Sequence, residues 1–150
     1  MQPEALTFAW QRHAAELFSF TSFAGRRMKI GLAEVAALEH LQVAGALSPG
    51  DLGKRLSMPS ASVTALLDRL EGKRMIERRA NPADRRGVLV GLTPIAMERA
   101  ALDLMPVAEA MIAAAAHMSE AERETVARYL EMVNACMARQ QAQPPAEPRP

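Results

Sequence analysis

A mainly helical chain carrying one small β-hairpin is the fold class that this sequence predicts, and three observations predict it. The composition is rich in Ala, Leu, Glu, Arg and Met, with only 4% aromatic residues, a bias toward strong helix formers. Apolar residues recur at spacings of three and four over most of the chain, the period of an amphipathic helix. One stretch, Asn81 to Thr93, breaks that period. Asn81-Pro82 opens a turn, Asp84 and Gly87 frame a tip, and Val88-Leu89-Val90-Gly91-Leu92 reads as the return strand.

The elements follow in order. From about residue 4 to 25, Leu6, Trp10, His13, Leu17, Phe20 and Ala24 trace one helical stripe, while Phe8, Phe18 and Phe23 add apolar surface on other faces. Such a helix packs on more than one neighbour. Gly25 with Arg26-Arg27 is the expected end. A second helix, about 32–44, has Val35, Leu38 and Leu41 as its stripe and Gly45 as its stop. Ser48-Pro49-Gly50-Asp51 starts a third, short helix, with Ser as cap and Asp in the first turn; Leu47, Leu52 and Leu56 are its apolar side. A turn at Ser57-Met58-Pro59 leads to a fourth helix reaching about Glu71, capped by Pro59, Ser60 or a neighbour.

In that fourth helix Val63, Leu66, Leu67 and Leu70 must face the core. The outward face carries Ser60, Ala61, Ser62, Thr64, Ala65, Asp68 and Arg69. Small hydroxyl-bearing side chains can approach base edges and phosphates in a major groove, and Arg69 reaches further. An ordinary amphipathic surface helix satisfies the same pattern. Met75-Ile76-Glu77-Arg78-Arg79 is the expected first hairpin strand, with Arg85 and Arg86 near the tip. A cationic hairpin just after two helices and a tight turn is what a winged DNA-binding domain needs; a solvated surface hairpin is the other reading.

Thr93-Pro94 caps and opens a long helix to about His117, with Ile95, Leu102, Met105 and Ile112 as its expected buried side and Pro106 bending it. Ser119 and Glu122 form a capping box for a last helix to about Gln140, striped by Val126, Leu130, Val133 and Met137. The tail 141–150, with four prolines, is expected to be disordered.

At 150 residues and 49% hydrophobic content the chain suits one globular domain. Its net charge of +1 is uneven. Residues 48–93 hold nine basic and five acidic side chains, net +4, whereas residues 94–150 are net −3. A positive patch on a compact module attracts polyanions, DNA first among them. No apolar run approaches the roughly 18–20 residues that span a bilayer, and no secretory signal is visible, so no membrane association and a cytoplasmic location are expected. Cys136 is the single cysteine, which fits a reducing compartment.

Taken together, the order of elements resembles the multiple-antibiotic-resistance-regulator (MarR) family of winged helix-turn-helix transcription factors over roughly residues 5–140. Asp84-Arg85-Arg86 followed by Leu92-Thr93 is similar to that family's wing signature, and Val63 to Glu71 resembles its recognition helix. The resemblance implies a winged helix-turn-helix flanked by N- and C-terminal dimerisation helices: a single domain over 1–140, its DNA-binding part at about 30–93 and its dimer helices at about 5–24 and 94–140. It implies that Arg86 enters the minor groove, with Arg85 beside it, that Asp84 holds a nearby arginine, and that Ser60, Ser62, Thr64 and Arg69 meet the major groove. The implied function is a homodimeric, sequence-specific regulator, a repressor of a pseudo-palindromic double-stranded operator. One departure stands out. The family carries glycine where this chain has Arg74, and an arginine in the same left-handed conformation is strained by about 1 kcal/mol, unless Gly72 shifts the helix end.

The family's implied effectors are small aromatic or phenolic acids, metals or oxidants. Its peroxide sensors carry cysteine near the start of the fold, and Cys136 is near the end, so an inert residue is expected. His13, His40 and His117 are scattered, without ligand spacing, so neither metal nor other cofactor is expected. Trp10, His13, Phe20 and His40 are candidates to line an effector pocket. Two other function classes compete. A winged-helix protein-interaction module would present the same surface to an acidic partner. An enzyme would need a nucleophile–base arrangement or a phosphate loop, and none is recognisable.

Overall fold

The computed structural model describes residues 2–141, without the side chains of Pro3, Arg85, Arg86 and Asp103. Of the expected disordered tail, residues 142–150 lie outside the described residues. The order is α1 (Pro3–Met28), α2 (Leu32–Ala44), α3 (Pro49–Leu56), α4 (Ser60–Gly72), β1 (Ile76–Asn81), β2 (Asp84–Leu92), α5 (Pro94–Ala116) and α6 (Glu120–Gln141).

The helix starts are set by the caps that the sequence announces. The Ser48 hydroxyl accepts the Asp51 N–H at 3.1 Å. The Thr93 hydroxyl accepts the Ala96 N–H at 3.1 Å. Ser119 and Glu122 bond reciprocally, the Ser119 N–H donating to the Glu122 carboxylate at 2.8 Å. Each of these bonds satisfies a first-turn donor that the helix itself cannot. At the start of α4 the N-cap is Pro59, which offers no side-chain cap.

Helix α1 does not end at Gly25 as expected. It runs through that glycine to Met28, and Lys29 supplies the left-handed cap at φ +56°. Gly25 has a different task. A Cβ there would lie 3.0 Å from the Ile30 carbonyl oxygen and 3.2 Å from Val35, so its missing side chain lets α1 and α2 approach closely.

The chain divides into two compact units, residues 1–104 and 105–150. In the first, Val63, Leu66, Leu67 and Leu70 of α4 meet Ala37 and Leu41 of α2, Leu52 of α3, and Met75, Ile76, Val90 and Ala96 in one buried cluster. Leu38, Leu47 and Leu56 are half-buried against it. The helix-turn-helix is tight because a Cβ on Gly53 would stand 3.1 Å from Val63.

In the hairpin, Ile76 to Ala80 pair antiparallel with Leu92 to Val88, and Asn81 then pairs with Asp84. The tip is therefore Pro82-Ala83, closed by the Asn81 side chain accepting the Ala83 N–H at 3.0 Å. Residues 85–87 form a bulge in the return strand. The hairpin strands extend closer to the turn than the sequence pattern indicates. Leu47, ahead of α3, bridges Val90 through two backbone bonds of 3.0 and 2.8 Å, a third rung that no periodicity announced.

The second unit begins beside Pro106, the proline inside α5. Along α5 and α6 the expected burial differs. Ile95, Leu102, Met105 and Ile112 of α5 are exposed, Leu102 by 74%, and so are Val126, Leu130 and Met137 of α6; Ala96 is the α5 residue in the core. Helix α6 buries no described residue. The apolar stripes exist, but they are exposed among the described residues.

Candidate nucleic-acid interface

The candidate surface is built on α4. Its buried stripe fixes the helix's rotation, so Ser60, Ser62 and Thr64 are exposed together on the opposite side. The Thr64 hydroxyl donates to the Ser60 carbonyl at 3.0 Å, which leaves its oxygen to act outward as an acceptor. The first turn of α4 carries no acidic residue. Its free N–H groups and positive dipole end favour an anion. Between the starts of α3 and α4 lies an open depression lined by Lys54, Ser57, Ser60 and Thr64 among others. Lys54 and Ser57 were missed in the sequence. Lys54 forms an ion pair with Asp51 at 3.3 Å, and as an i,i+3 helix pair it looks like ordinary surface charge.

Arg69 sits at the other end of α4, and its Nε donates to Glu34 at 3.3 Å. Glu34, on α2, is the one buried charged residue among those described. Its carboxylate also accepts the Gly31 N–H at 2.7 Å and Lys73 Nζ at 3.3 Å, while Lys73 donates to the Lys29 carbonyl at 3.1 Å. Burial alone pushes the Glu34 carboxyl up, but the Gly31 N–H, Lys73 and Arg69 outweigh it and hold the group below the usual range. Arg69 thus helps hold α4 against α2. The sequence offered one signal for Glu34, a glutamate three residues after a helix-opening glycine.

The hairpin is tied to α4 by Arg78. One guanidinium nitrogen donates to Asp68 at 2.7 Å and another to Glu71 at close range. These bonds, Asp68 first, raise the arginine's proton affinity further. A guanidinium spanning two carboxylates is geometrically demanding in a way that an ammonium is not. Arg85 and Arg86 belong to the bulge of β2 by backbone position, whereas their side chains lie outside the described residues. Asp84 begins β2, opposite Asn81.

Of the four residues expected at an effector pocket, Phe20 lines an apolar cavity of about 140 Å³ among α1, α2 and the first part of α5. His13 lines a shallow surface along α1 with Arg12 and Glu16. Trp10 and His40 are half-buried and line neither. Burial, with Arg55 nearby, holds the His40 imidazole below its ordinary value. Cys136 is exposed on α6. No cluster of metal-ligating side chains occurs among the described residues, and none of the described helices is long and apolar enough to cross a membrane.

A buried-stripe helix with a hydroxyl-bearing outer face, seated behind a short helix and clamped to a hairpin, defines a winged helix-turn-helix. Residues 29–87 match the MarR family's sequence model. The multiple antibiotic resistance protein MarR of Salmonella typhimurium is 50% identical over 54 residues, covering 36% of this chain and 38% of that protein. The Escherichia coli protein of the same name is 41% identical over 66 residues, covering 44% and 46%. The chain thus spans less than half the length of these curated relatives. Among solved structures, a mutant of MepR from a multidrug resistant S. aureus clinical isolate superposes with a TM-score of 0.73 at 20% identity, covering 88% of this chain and 96% of that one. S. aureus MepR in DNA-binding conformation gives 0.67 at 20% identity, covering 88% and 98%; at this identity the likeness is one of fold. Residues 29–87 are thus similar to the MarR family's sequence model, and the fold is that of a winged helix-turn-helix.

Proposed function

We propose that the protein is a homodimeric, sequence-specific DNA-binding regulator of transcription that acts as a repressor and is released by a small aromatic effector. The observation that carries the DNA reading is the exposed Ser60, Ser62 and Thr64 face on an α4 whose first turn is uncapped and free of acid. In this reading α4 enters the major groove, with its N-terminus toward phosphate. The bulge holding Arg85 and Arg86 follows the adjacent minor groove, where a narrow A·T-rich stretch favours arginine. Arg78, bound to Asp68 and Glu71, sets the angle between the two.

The dimer reading rests on apolar surface that is exposed among the described residues. Helix α6 has no fully buried residue, and Leu102, Ile112, Leu130 and Met137 are exposed. Large apolar patches on a folded chain mark an interface, and a second copy offers the same stripes in return. Two wings then address two half-sites of a pseudo-palindrome about one helical turn apart. The effector reading rests on the apolar cavity beside Phe20.

The test is selection of bound sequences from a random DNA pool at near-physiological salt. A two-fold-symmetric motif is expected. Recovery of no motif, with binding that vanishes as salt rises, would leave only non-specific phosphate attraction and would put a protein-interaction module in its place.

A further inference from the structure

We infer that the cavity beside Phe20 selects a small aryl-alkyl ammonium, its ring held among apolar side chains and its cation on the Glu39 carboxylate. Phe20, Met28, Val35, Leu38, Met75 and Leu92 contribute large apolar side chains to the wall. Cavities of about 150 Å³ with aliphatic walls stay dry and admit benzene, so a cavity of about 140 Å³ holds one ring. The two methionines adapt to its shape, and the Phe20 face can share the positive charge.

The polar part of the wall decides the ligand's charge. Among the described side chains of the wall, Thr21 and Gln42 are neutral, Glu39 is the single ionisable residue, and there is no Lys, Arg or His. Glu39 follows Val35 by one turn of α2 and precedes Val43 by another, so it shares their face. The residue as a whole is exposed, which puts it at the mouth. Even so its carboxyl is pushed up, and burial is the sole cause; no basic side chain offsets it. Arg99 Nη1 lies 3.8 Å from the Met75 sulfur, and Arg99 is not part of the lining. An aromatic carboxylate would therefore place a second negative charge beside an uncompensated one. An ammonium supplies the missing counter-charge. This departs from the phenolic acids that the family resemblance implies.

Binding itself needs no DNA, whereas its regulatory consequence rests on the proposed function. The test is titration calorimetry on the full chain, without DNA, using phenethylammonium and phenylacetate, which have similar size and opposite charge. Phenethylammonium is expected to bind at least tenfold more tightly. Glu39→Gln, a substitution near the cavity mouth, is expected to weaken it at least tenfold with unchanged circular dichroism, and Glu39→Lys to reverse the preference. Equal or tighter binding of phenylacetate, an unaffected Glu39→Gln variant, or no binding of phenethylammonium would each overturn the inference. Phenethylammonium that binds but leaves DNA complexes intact would support the site and count against the effector reading.

Discussion

The Thr93 hydroxyl donates to the Arg74 carbonyl at 2.6 Å, so the residue that caps α5 also holds the turn leaving α4. Arg74 needs holding. Its φ is +58°, in the region where a Cβ crowds the following carbonyl. The Arg74 N–H reaches Glu71 O at 2.8 Å and the Met75 N–H reaches Leu70 O at 2.9 Å, a closure of the kind in which glycine is favoured. Gly72 stays within the helix and does not take over the role.

Arg74→Gly should therefore stabilise the protein by about 0.5–1 kcal/mol, the left-handed strain less the added freedom of the unfolded chain. For a chain of this size that is a rise in Tm of about 2–4 °C per kcal/mol. Thermal unfolding followed by circular dichroism checks it; an unchanged or lower Tm would show that the arginine's own contacts outweigh the strain.

Arg78→Ala should weaken DNA binding much more than it weakens the fold. The pair with Asp68 is largely solvated, so the stability loss should stay within about 1 kcal/mol. The hairpin loses its tie to α4, however, and two carboxylates become unpaired on the face proposed to meet phosphate. Arg78→Lys should rescue little, because one ammonium cannot span both partners. Paired measurements of urea unfolding and operator affinity check this.

Glu34→Gln should cost about 1–3 kcal/mol at neutral pH, since Lys73 and Arg69 lose their shared counter-charge. The Glu34 carboxyl is held below its ordinary value of 4.5. Its contribution is thus fully present above that value and is lost as pH falls through the lower, folded value. The variant should show a flatter loss of stability below about pH 4.5 than the parent, measured by denaturant unfolding across that range.

Arg86→Ala should lower operator affinity and reduce the salt slope by about one, with no change in Tm. The motivating observation is its place in a bulge outside the hairpin ladder. Unchanged affinity and slope would remove Arg86 from the contact surface.

Local chemistry was legible where one residue type does one job. Ser48, Thr93 and Ser119 announced their helices, and the four apolar residues of α4 announced its inner face. Gly25 was misleading because glycine has two uses: ending a helix and letting another helix come close. The ion pairs of Glu34 were illegible because Arg69 and Lys73 lie more than thirty residues away and are brought to it only by the fold. The stripes on α5 and α6 state which residues favour burial but not which chain buries them. The proposed contact residues on α4 could be read because the core face leaves them only one direction; the reach of Arg69 was not, since a buried carboxylate competes for it.

The bulge at Arg85 to Gly87 separates two design constraints. Three residues leave the ladder together, and the pairing from Ile76–Leu92 to Ala80–Val88 stays in frame beneath them. Charge at positions 85 and 86 therefore lies outside the paired register, whereas added bulk at Gly87 would press on Asn81 and Asp84, each 3.3 Å from a Cβ placed there. Evolution, or an engineer, could retune the grip of the hairpin as an interchangeable part while the remainder of the module keeps its shape.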